Sequence, residues 1–332
     1  RAYAYPQENE TISQTLTREV LNVRNNVGLL DSSTLGKVLV KGPDAAKFLD
    51  LIYTNKISTL PVGKCRYGLM CTEAGFVFDD GVVARLSDDT FLCHTTSGGS
   101  DRVYAWFEEW LQTEWWELKV FVSNLTEQFA QIGVAGPNAR SVLEHVFNNK
   151  FPSQDLPFMS YLAANFEGVR ANLYRISFSG ELSFEVAIPA PHGLRFWKKC
   201  IEAGKKFGIQ PYGTEALHVM RAEKGFIMVG DETDGTVIPQ DLNLQWAVSK
   251  LKNDFIGKRA QSRKFLNSPD RKKLVGLFTE DSQLVLPDGA QAVEGLQEGG
   301  QLRVIGYVTS TYFSPTLGRS IALALVEGGL DR

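Results

Sequence analysis

Apolar and polar positions follow two periods along the chain, one helical and one strand-like. Between residues 12 and 27 the apolar residues recur every three or four positions, which predicts an amphipathic helix. The same spacing predicts helices at 45–51, 101–112, 193–206 and 214–223. Alternation and short apolar runs predict strands at 37–41, within 67–95 and within 170–188. The fold class is therefore predicted to be α+β.

A strand, a Gly-Pro pair, a polar residue and a helix occur in that order twice. The polar residue is Asp44 in the first copy and Asn138 in the second, and each is expected to cap its helix. The repeat suggests two related α+β halves. After residue 268 the chain changes to strand-like runs and Gly-rich turns. We therefore predict one region over residues 1–268 and a small, truncated β domain over 269–332.

The charge is nearly balanced, with 35 Lys plus Arg against 38 Asp plus Glu, and this argues against a nucleic-acid-binding protein. No apolar run approaches the roughly 20 residues that span a bilayer. Four cysteines without a CxxC pair and four scattered histidines give no metal-ligand spacing and suit a reducing, cytoplasmic compartment. Because the chain begins at Arg1 without an initiator Met, we expect it to be part of a longer polypeptide.

Two adjacent acids, Asp79 and Asp80, lie between the apolar runs 76–78 and 82–83. Adjacent side chains of a strand point to opposite faces, so one of the two acids would face the interior or a cavity. An aspartate there is costly unless it has a partner or a chemical role. A turn with both acids in solvent is the alternative, and the residues alone leave both open.

A third acid, Glu185, lies inside the apolar run 184–188. A carboxylate in that position could accept two hydrogen bonds from a guanidine-like edge such as that of a pterin, and a salt bridge to a neighbouring base is the alternative. The charged segment 221–234 is expected to form an ion-pair network in solvent. The sequence has no G-x-G-x-x-G fingerprint, Walker A loop or G-x-S-x-G elbow, so no nucleotide or flavin site of the usual kind is predicted in this chain.

Several segments together resemble the family of the glycine cleavage T protein, an aminomethyltransferase, over residues 16–326. The segments that carry the resemblance are Val23–Asp31, Gly75–Asp80 and Phe313–Ala324. Glu223–Phe226, Asp231–Thr236 and Pro239–Leu242 resemble the branch of this family found in the alpha subunits of tetrameric sarcosine oxidases. Gly213-Thr214-Glu215 stands where the glycine cleavage branch has an Ala-Arg-Asp run, and Phe178 stands where that branch has Tyr.

The resemblance implies two ferredoxin-like α+β domains and a C-terminal β-barrel domain around a folate channel. It implies that Asp80 is the catalytic aspartate near the reactive folate nitrogens and that Glu185 binds the pterin edge. The remaining folate-binding residues implied in this way are Tyr67, Thr95, Phe158 and Phe178.

The resemblance also implies the reaction. A flavin elsewhere in a hetero-oligomeric complex, which also holds NAD, would oxidise sarcosine, and tetrahydrofolate bound to this chain would take the one-carbon unit as 5,10-methylenetetrahydrofolate. The expected partners are the other sarcosine oxidase subunits, and no metal is expected. Two alternatives are a stand-alone aminomethyltransferase acting on a lipoyl carrier protein and a non-catalytic folate-binding regulator.

Overall fold

The computed structural model describes residues 2–151, 154–296 and 300–331, which divide into two compact units. The first unit comprises the chain up to Phe48 together with 57–67 and 81–220. The second comprises 49–56, 68–80 and the chain from Arg221 onward. Across these ranges no helix is long and apolar enough to cross a membrane.

The helices and strands have the following bounds. The α-helices are α1 (Ile12–Asn25), α2 (Ala45–Ile52), α3 (Ser100–Thr113), α4 (Ala139–Phe147), α5 (Gly193–Gly204), α6 (Thr214–Lys224) and α7 (Lys258–Gln261). The strands up to residue 135 are β1 (Val27–Asp31), β2 (Gly36–Lys41), β3 (Cys65–Cys71), β4 (Val77–Ser87), β5 (Thr90–Thr95), β6 (Phe121–Asn124) and β7 (Phe129–Ala135). The later strands are β8 (Tyr161–Phe166), β9 (Val169–Tyr174), β10 (Ser183–Pro189), β11 (Ile209–Pro211), β12 (Lys272–Phe278), β13 (Gln291–Leu296), β14 (Leu302–Ser314) and β15 (Arg319–Glu327).

A six-stranded sheet in the first unit has the order β11-β1-β7-β10-β9-β8, in which only the β11–β1 pair is parallel among the described pairings. One face carries Phe184, Val186 and Ile188 of β10 and packs against apolar residues of α4 and α5. Because strand side chains alternate, the residues between these three point to the opposite face. That second face holds Glu185.

A second sheet has the order β3-β4-β5-β2-β6. Within the first unit, its residues Ala84 and Leu92 form an apolar cluster with Tyr174 and Ala187, which lie on the second face of the six-stranded sheet. Cys65 of β3 belongs to the same cluster. The two sheets of this unit are therefore held together by an apolar layer that adjoins Glu185.

The second unit contains an antiparallel sheet of order β12-β15-β14-β13. Its apolar cluster consists of Val275, Ile305, Ala324 and Val326. The sequence prediction of strands with little helix in this part of the chain is confirmed.

The helices predicted from apolar spacing are confirmed to within a few residues at each end. The expected side-chain caps are wrong. Asp44 accepts a hydrogen bond from the backbone N–H of Lys119 at 2.9 Å, and Asn138 forms no side-chain cap. The carbonyl oxygen of the preceding glycine accepts from the amide of Ala45 in the first copy and of Ala139 in the second, each at 3.0 Å, so the turn itself satisfies the start of the helix.

Gly136 allows this turn between β7 and α4 to form. Its φ of +126° is a conformation that residues with a Cβ rarely adopt. A Cβ built on Gly136 would lie 2.6 Å from the carbonyl oxygens of both Val23 and Asn26. Both groups are backbone atoms, so they cannot move aside as a flexible side chain would.

We predict that Gly136→Ala destabilises the chain more than Gly168→Ala. Gly168 also has a positive φ, +89°, but a Cβ there would meet nothing within 4 Å. Gly168→Ala should therefore lower the free energy of unfolding by the conformational strain alone, about 1–2 kcal/mol. Gly136→Ala should exceed about 3 kcal/mol because the backbone clash is added to strain. Urea unfolding monitored by circular dichroism measures both, and equal losses would contradict this account of the turn.

Candidate functional site

Glu185 lies in the middle of β10, between Tyr174 of β9 and Gly133 of β7. Phe184 and Val186, its neighbours in sequence, are buried in the core beneath α4 and α5. The alternation of the strand therefore directs Glu185 to the opposite face. Gly133 adds no side chain beside Glu185 on β7, and a Cβ there would be in ordinary contact with Leu30, 3.5 Å from its Cβ. Glu185 is partly exposed.

The Glu185 carboxylate is held by a buried amide. Gln131 of β7 is completely buried, and its Nε2 donates a hydrogen bond to Oε2 of Glu185. Gln131 pairs in register with Ala187, so the two polar side chains are diagonal neighbours on one face of the sheet. The Oε1 of Gln131 is buried and has no hydrogen-bond partner among the described residues.

Two aromatic side chains with polar atoms, His94 and Tyr174, lie between the same two sheets. The rings of His94 and Tyr174 meet edge to face with centroids 4.8 Å apart. The Nδ1 of His94 lies 3.0 Å from the carbonyl oxygen of Val82, which can only accept, so Nδ1 carries the proton. Both the Nε2 of His94 and the hydroxyl of Tyr174 are buried without a hydrogen-bond partner within the described ranges.

Three titratable side chains between the two sheets, His94, Cys65 and Tyr174, are neutral near pH 7. Burial lowers the pKa of His94 to about 4 because the charged imidazolium would lose its hydration. Burial, reinforced by the negative charge of Glu185, raises the pKa of the Cys65 thiol to about 12. Burial likewise raises the pKa of Tyr174, with Tyr161 as the next cause. These three side chains therefore add no charge to the layer between the sheets.

Tyr67 shares a face of β3 with Cys65, because the two are separated by one residue. Cys65 belongs to the apolar cluster with Tyr174, and the pKa of its thiol responds to Glu185. Tyr67 is partly exposed. Among the predicted folate residues of the first unit, the structure therefore places Tyr67 and Glu185 on the same side of the six-stranded sheet.

Phe158, Phe178 and Thr95 are placed differently. Phe158 is 62% exposed, and the guanidinium of Arg175 lies over its ring. The same guanidinium lies over the ring of Phe184, which is on the face of β10 opposite Glu185. Phe178 is half-buried in the connection between β9 and β10. Thr95 ends β5 on the face opposite to His94, and its hydroxyl donates to the carbonyl oxygen of Thr96. Their folate roles stay predictions.

Asp79 and Asp80 lie within β4 and not in a turn. Asp79 is fully buried and accepts a hydrogen bond from the backbone N–H of Asp80 at 2.9 Å, while Asp80 is partly exposed. The expectation that one of the pair faces the interior is confirmed for Asp79. By alternation Asp80 shares its face of the strand with Val82 and Ala84.

Within the charged segment 221–234, Arg221 and Glu232 are buried while Lys224 and Asp234 are exposed, so the prediction of an ion-pair network in solvent is wrong for the central pair. Arg221 and Glu232 have no exposed surface and form an ion pair at 2.7 Å. Asp231 and the hydroxyl of Ser310 also accept hydrogen bonds from Arg221, at 3.0 and 2.7 Å. These partners offset the cost of burying the charges, which gives the network a structural role in the second unit.

Sequence reasoning missed Gln131, His94 and Tyr174. Gln131 is a polar residue inside the apolar run 129–135, which is the signal that singled out Glu185. His94 and Tyr174 carry no comparable signal because each is an amphipathic residue that is common in strands. In the described residues, no group of three His, Cys, Asp or Glu side chains could hold a metal ion.

The comparisons with known proteins place the chain in one family. The profile described as the GCVT N-terminal domain matches residues 1–252, and the profile of the glycine cleavage T-protein C-terminal barrel domain matches residues 272–332. The crystal structure of glycine cleavage system aminomethyltransferase T from Bartonella henselae superposes with a TM-score of 0.84 at 25% identity, covering 98% of this chain and 83% of that one. The predicted α+β fold with a C-terminal barrel domain is thereby confirmed.

Two groups of relatives are similar in sequence. Sarcosine oxidase subunit alpha from Corynebacterium sp. (strain U-96) is 49% identical, and that from Rhizobium meliloti is 41% identical, each across the whole chain. The chain spans about a third of their length, 35% and 34%. An aminomethyltransferase from Thermotoga sp. (strain RQ2) is 32% identical over 94% of this chain and 82% of its own length.

We predict that His94 makes the chain less stable in acid. Its folded-state pKa of about 4 lies below the ordinary value near 6.5, so the unfolded state binds more protons between these values. Stability from the neutral ring is complete above about pH 6.5 and is lost as the pH falls toward 4. Between pH 7.5 and 5 this amounts to about 2 kcal/mol.

His94→Asn tests this because its amide nitrogen can occupy the position of Nδ1 and cannot titrate. Its free energy of unfolding, measured with urea at both pH values, should fall by about 2 kcal/mol less than that of the wild type. His192→Asn is the control and should behave as the wild type. An unchanged pH dependence in His94→Asn would show that His94 is not the titrating group.

Proposed function

The chain belongs to the glycine cleavage T-protein family, and on that premise we propose that it binds tetrahydrofolate and receives the one-carbon unit of oxidised sarcosine, forming 5,10-methylenetetrahydrofolate. The observation that carries the proposal is Glu185, a partly exposed acid in an apolar strand that accepts a hydrogen bond from the buried amide of Gln131. The 41–49% identity with sarcosine oxidase alpha subunits supports this branch over the aminomethyltransferases, which match at 32–34%.

Glu185 suits a pterin because of what each group can donate or accept. The pyrimidine edge of a pterin presents adjacent N–H donors, and an ionised carboxylate presents only acceptors. Two parallel charge-assisted hydrogen bonds would fix both the position and the orientation of the ring. Gly133, the residue paired with Glu185 on β7, adds no side chain beside the carboxylate, and Tyr67 of β3 offers an aromatic side chain on the same side of the six-stranded sheet.

Bound tetrahydrofolate would supply the two nitrogen nucleophiles that take up the one-carbon unit. The chain would supply orientation through Glu185 and negative charge through Asp80. A carboxylate stabilises the positive charge that develops as a one-carbon iminium is captured. Asp80 is suited to that role because it is partly exposed, whereas Asp79 is completely buried.

Oxidation of the amine is assigned to other parts of a hetero-oligomeric complex. The chain has no dinucleotide fingerprint, and it spans about a third of the sarcosine oxidase alpha relatives. We therefore propose that flavin and NAD bind outside these 332 residues and that the partners are further sarcosine oxidase subunits, in the cytoplasm.

A glycine-cleavage aminomethyltransferase is the second candidate, because the Thermotoga relative is matched over 82% of its length. Transfer of an aminomethyl group from a lipoyl carrier protein to tetrahydrofolate would support it. The segment Gly213-Thr214-Glu215 lacks the arginine that the glycine cleavage branch carries there, which favours the sarcosine reaction.

We predict that Glu185→Gln weakens binding of a reduced folate by about 1.5–3 kcal/mol, because a charge-assisted hydrogen-bond pair is lost. Isothermal titration calorimetry of the chain with 5-formyltetrahydrofolate measures the change. Glu181→Gln is the matched control, since Glu181 forms an ion pair with Arg24 at 2.9 Å in the turn before β10. Unchanged affinity in Glu185→Gln would rule out its pterin role.

We predict that Asp80→Asn, in the full complex, separates amine oxidation from one-carbon transfer. Sarcosine consumption should continue, formaldehyde should be released, and the yield of 5,10-methylenetetrahydrofolate should fall at least about tenfold because the charge near the reacting carbon is removed. The thermal midpoint should change little, since Asp80 is partly exposed.

Asp79→Asn is the comparison variant for that experiment. If it reproduced the loss of folate product while Asp80→Asn did not, the face of the strand that meets the folate would be that of Asp79. If Asp80→Asn kept its product yield and melted several degrees lower, its role would be structural.

A further inference from the structure

The hydrogen bond between Gln131 and Glu185 joins a completely buried amide to a partly exposed acid. Gln131 pairs with Ala187 and Glu185 pairs with Gly133, so the register of β7 and β10 sets the two side chains diagonally on one face. The contact between the two side chains therefore follows from the regular pairing of the two strands.

The orientation of the Gln131 amide follows from the hydrogen-bonding capacity of the Glu185 carboxylate. An ionised carboxylate only accepts, so the Nε2 of Gln131 must face Glu185 and its Oε1 must point away. That oxygen is buried and has no hydrogen-bond partner in the described parts of the chain. An amide in this position is therefore less favourable for folding than a similar apolar side chain would be, which indicates a role other than stability.

A free glutamate side chain samples many rotamers, and ordering it on binding costs conformational entropy. A fixed donor on one carboxylate oxygen removes much of that cost before the ligand arrives. The hydrogen bond from Gln131 takes one acceptor site of the Glu185 carboxylate. Gly133, paired with Glu185 on β7, adds no side chain next to this carboxylate.

We propose that Gln131 is a positioning residue for folate binding: its buried amide holds the Glu185 carboxylate in the orientation that accepts the pterin N–H edge. The proposal rests on the proposed function of Glu185. It assigns to Gln131 a role in affinity for the ligand and none in contacting it.

Substituting glutamate for Gln131 makes the folate affinity depend on pH, which a purely structural role of Gln131 would not. Gln131→Glu places two carboxyl groups within hydrogen-bond distance, and such a pair retains one proton at mildly acidic pH. The protonated pair restores an O–H donor to Glu185, whereas the doubly ionised pair repels. His94, Cys65 and Tyr174, the neighbouring titratable groups, stay neutral in this range because the pKa of His94 is about 4 and those of the other two are raised by burial.

The experiment measures the affinity of the chain for 5-formyltetrahydrofolate by calorimetry at pH 5.5 and pH 8, relative to the wild type at each pH. Gln131→Met, which keeps the size and removes the donor, should bind about tenfold more weakly at both pH values. Gln131→Glu should bind nearly as the wild type at pH 5.5 and more weakly than Gln131→Met at pH 8. The control is Gln210→Met in β11 of the same sheet, which loses a hydrogen bond from Arg18 and should bind normally.

Two results would overturn the proposal, and each is distinct from failure of the proposed function. If Glu185→Gln lost affinity while Gln131→Met stayed within twofold of the wild type, Gln131 would have no positioning role and the folate function would stand. If both Gln131 variants lost affinity equally at both pH values and melted lower, the role would be structural. Normal affinity in Glu185→Gln would instead refute the function on which the proposal rests.

Discussion

The register of β10 between β7 and β9 is the constraint on which the candidate site depends. Seven consecutive pairs, from Ser183 to Pro189, fix β10 against β7. A shift by one residue would move Phe184 and Val186 out of the core beneath α4 and α5 and would bury Glu185 in their place. The apolar core therefore determines which face the carboxylate occupies, and the pairing with Gln131 and Tyr174 follows from the same register.

Buried polar atoms without a hydrogen-bond partner occur in both units among the described residues. In the first unit they include atoms of Gln131, His94 and Tyr174, and in the second the Nε of Arg221 and the hydroxyl of Ser320. Such atoms are costly to bury. Gln131 differs from the other residues of this set in that its amide also donates a hydrogen bond to a partly exposed acid, Glu185. The charge of Arg221 is instead paired with Glu232 and Asp231 inside the second unit.

Local patterns in the sequence predicted much of the fold. Apolar spacing placed the main helices, and alternation identified Glu185 as a carboxylate in an apolar strand. The caps expected at Asp44 and Asn138 do not form, because the glycine carbonyl of each Gly-Pro turn already accepts the first helical amide. Burial of Arg221 was also missed, because its partner Ser310 is far away in the sequence. The Gln131–Glu185 pair depends on strand order, which a single sequence does not specify.

We propose that the face of the sheet bearing Glu185 recognises the pterin of a reduced folate. A crystal structure of the chain with bound 5-formyltetrahydrofolate tests this recognition most directly. The account predicts the pyrimidine N–H groups of the pterin within about 3 Å of the Glu185 carboxylate oxygens, with the hydrogen bond from Gln131 retained. A pterin bound elsewhere, with Glu185 in contact only with protein or solvent, would contradict it.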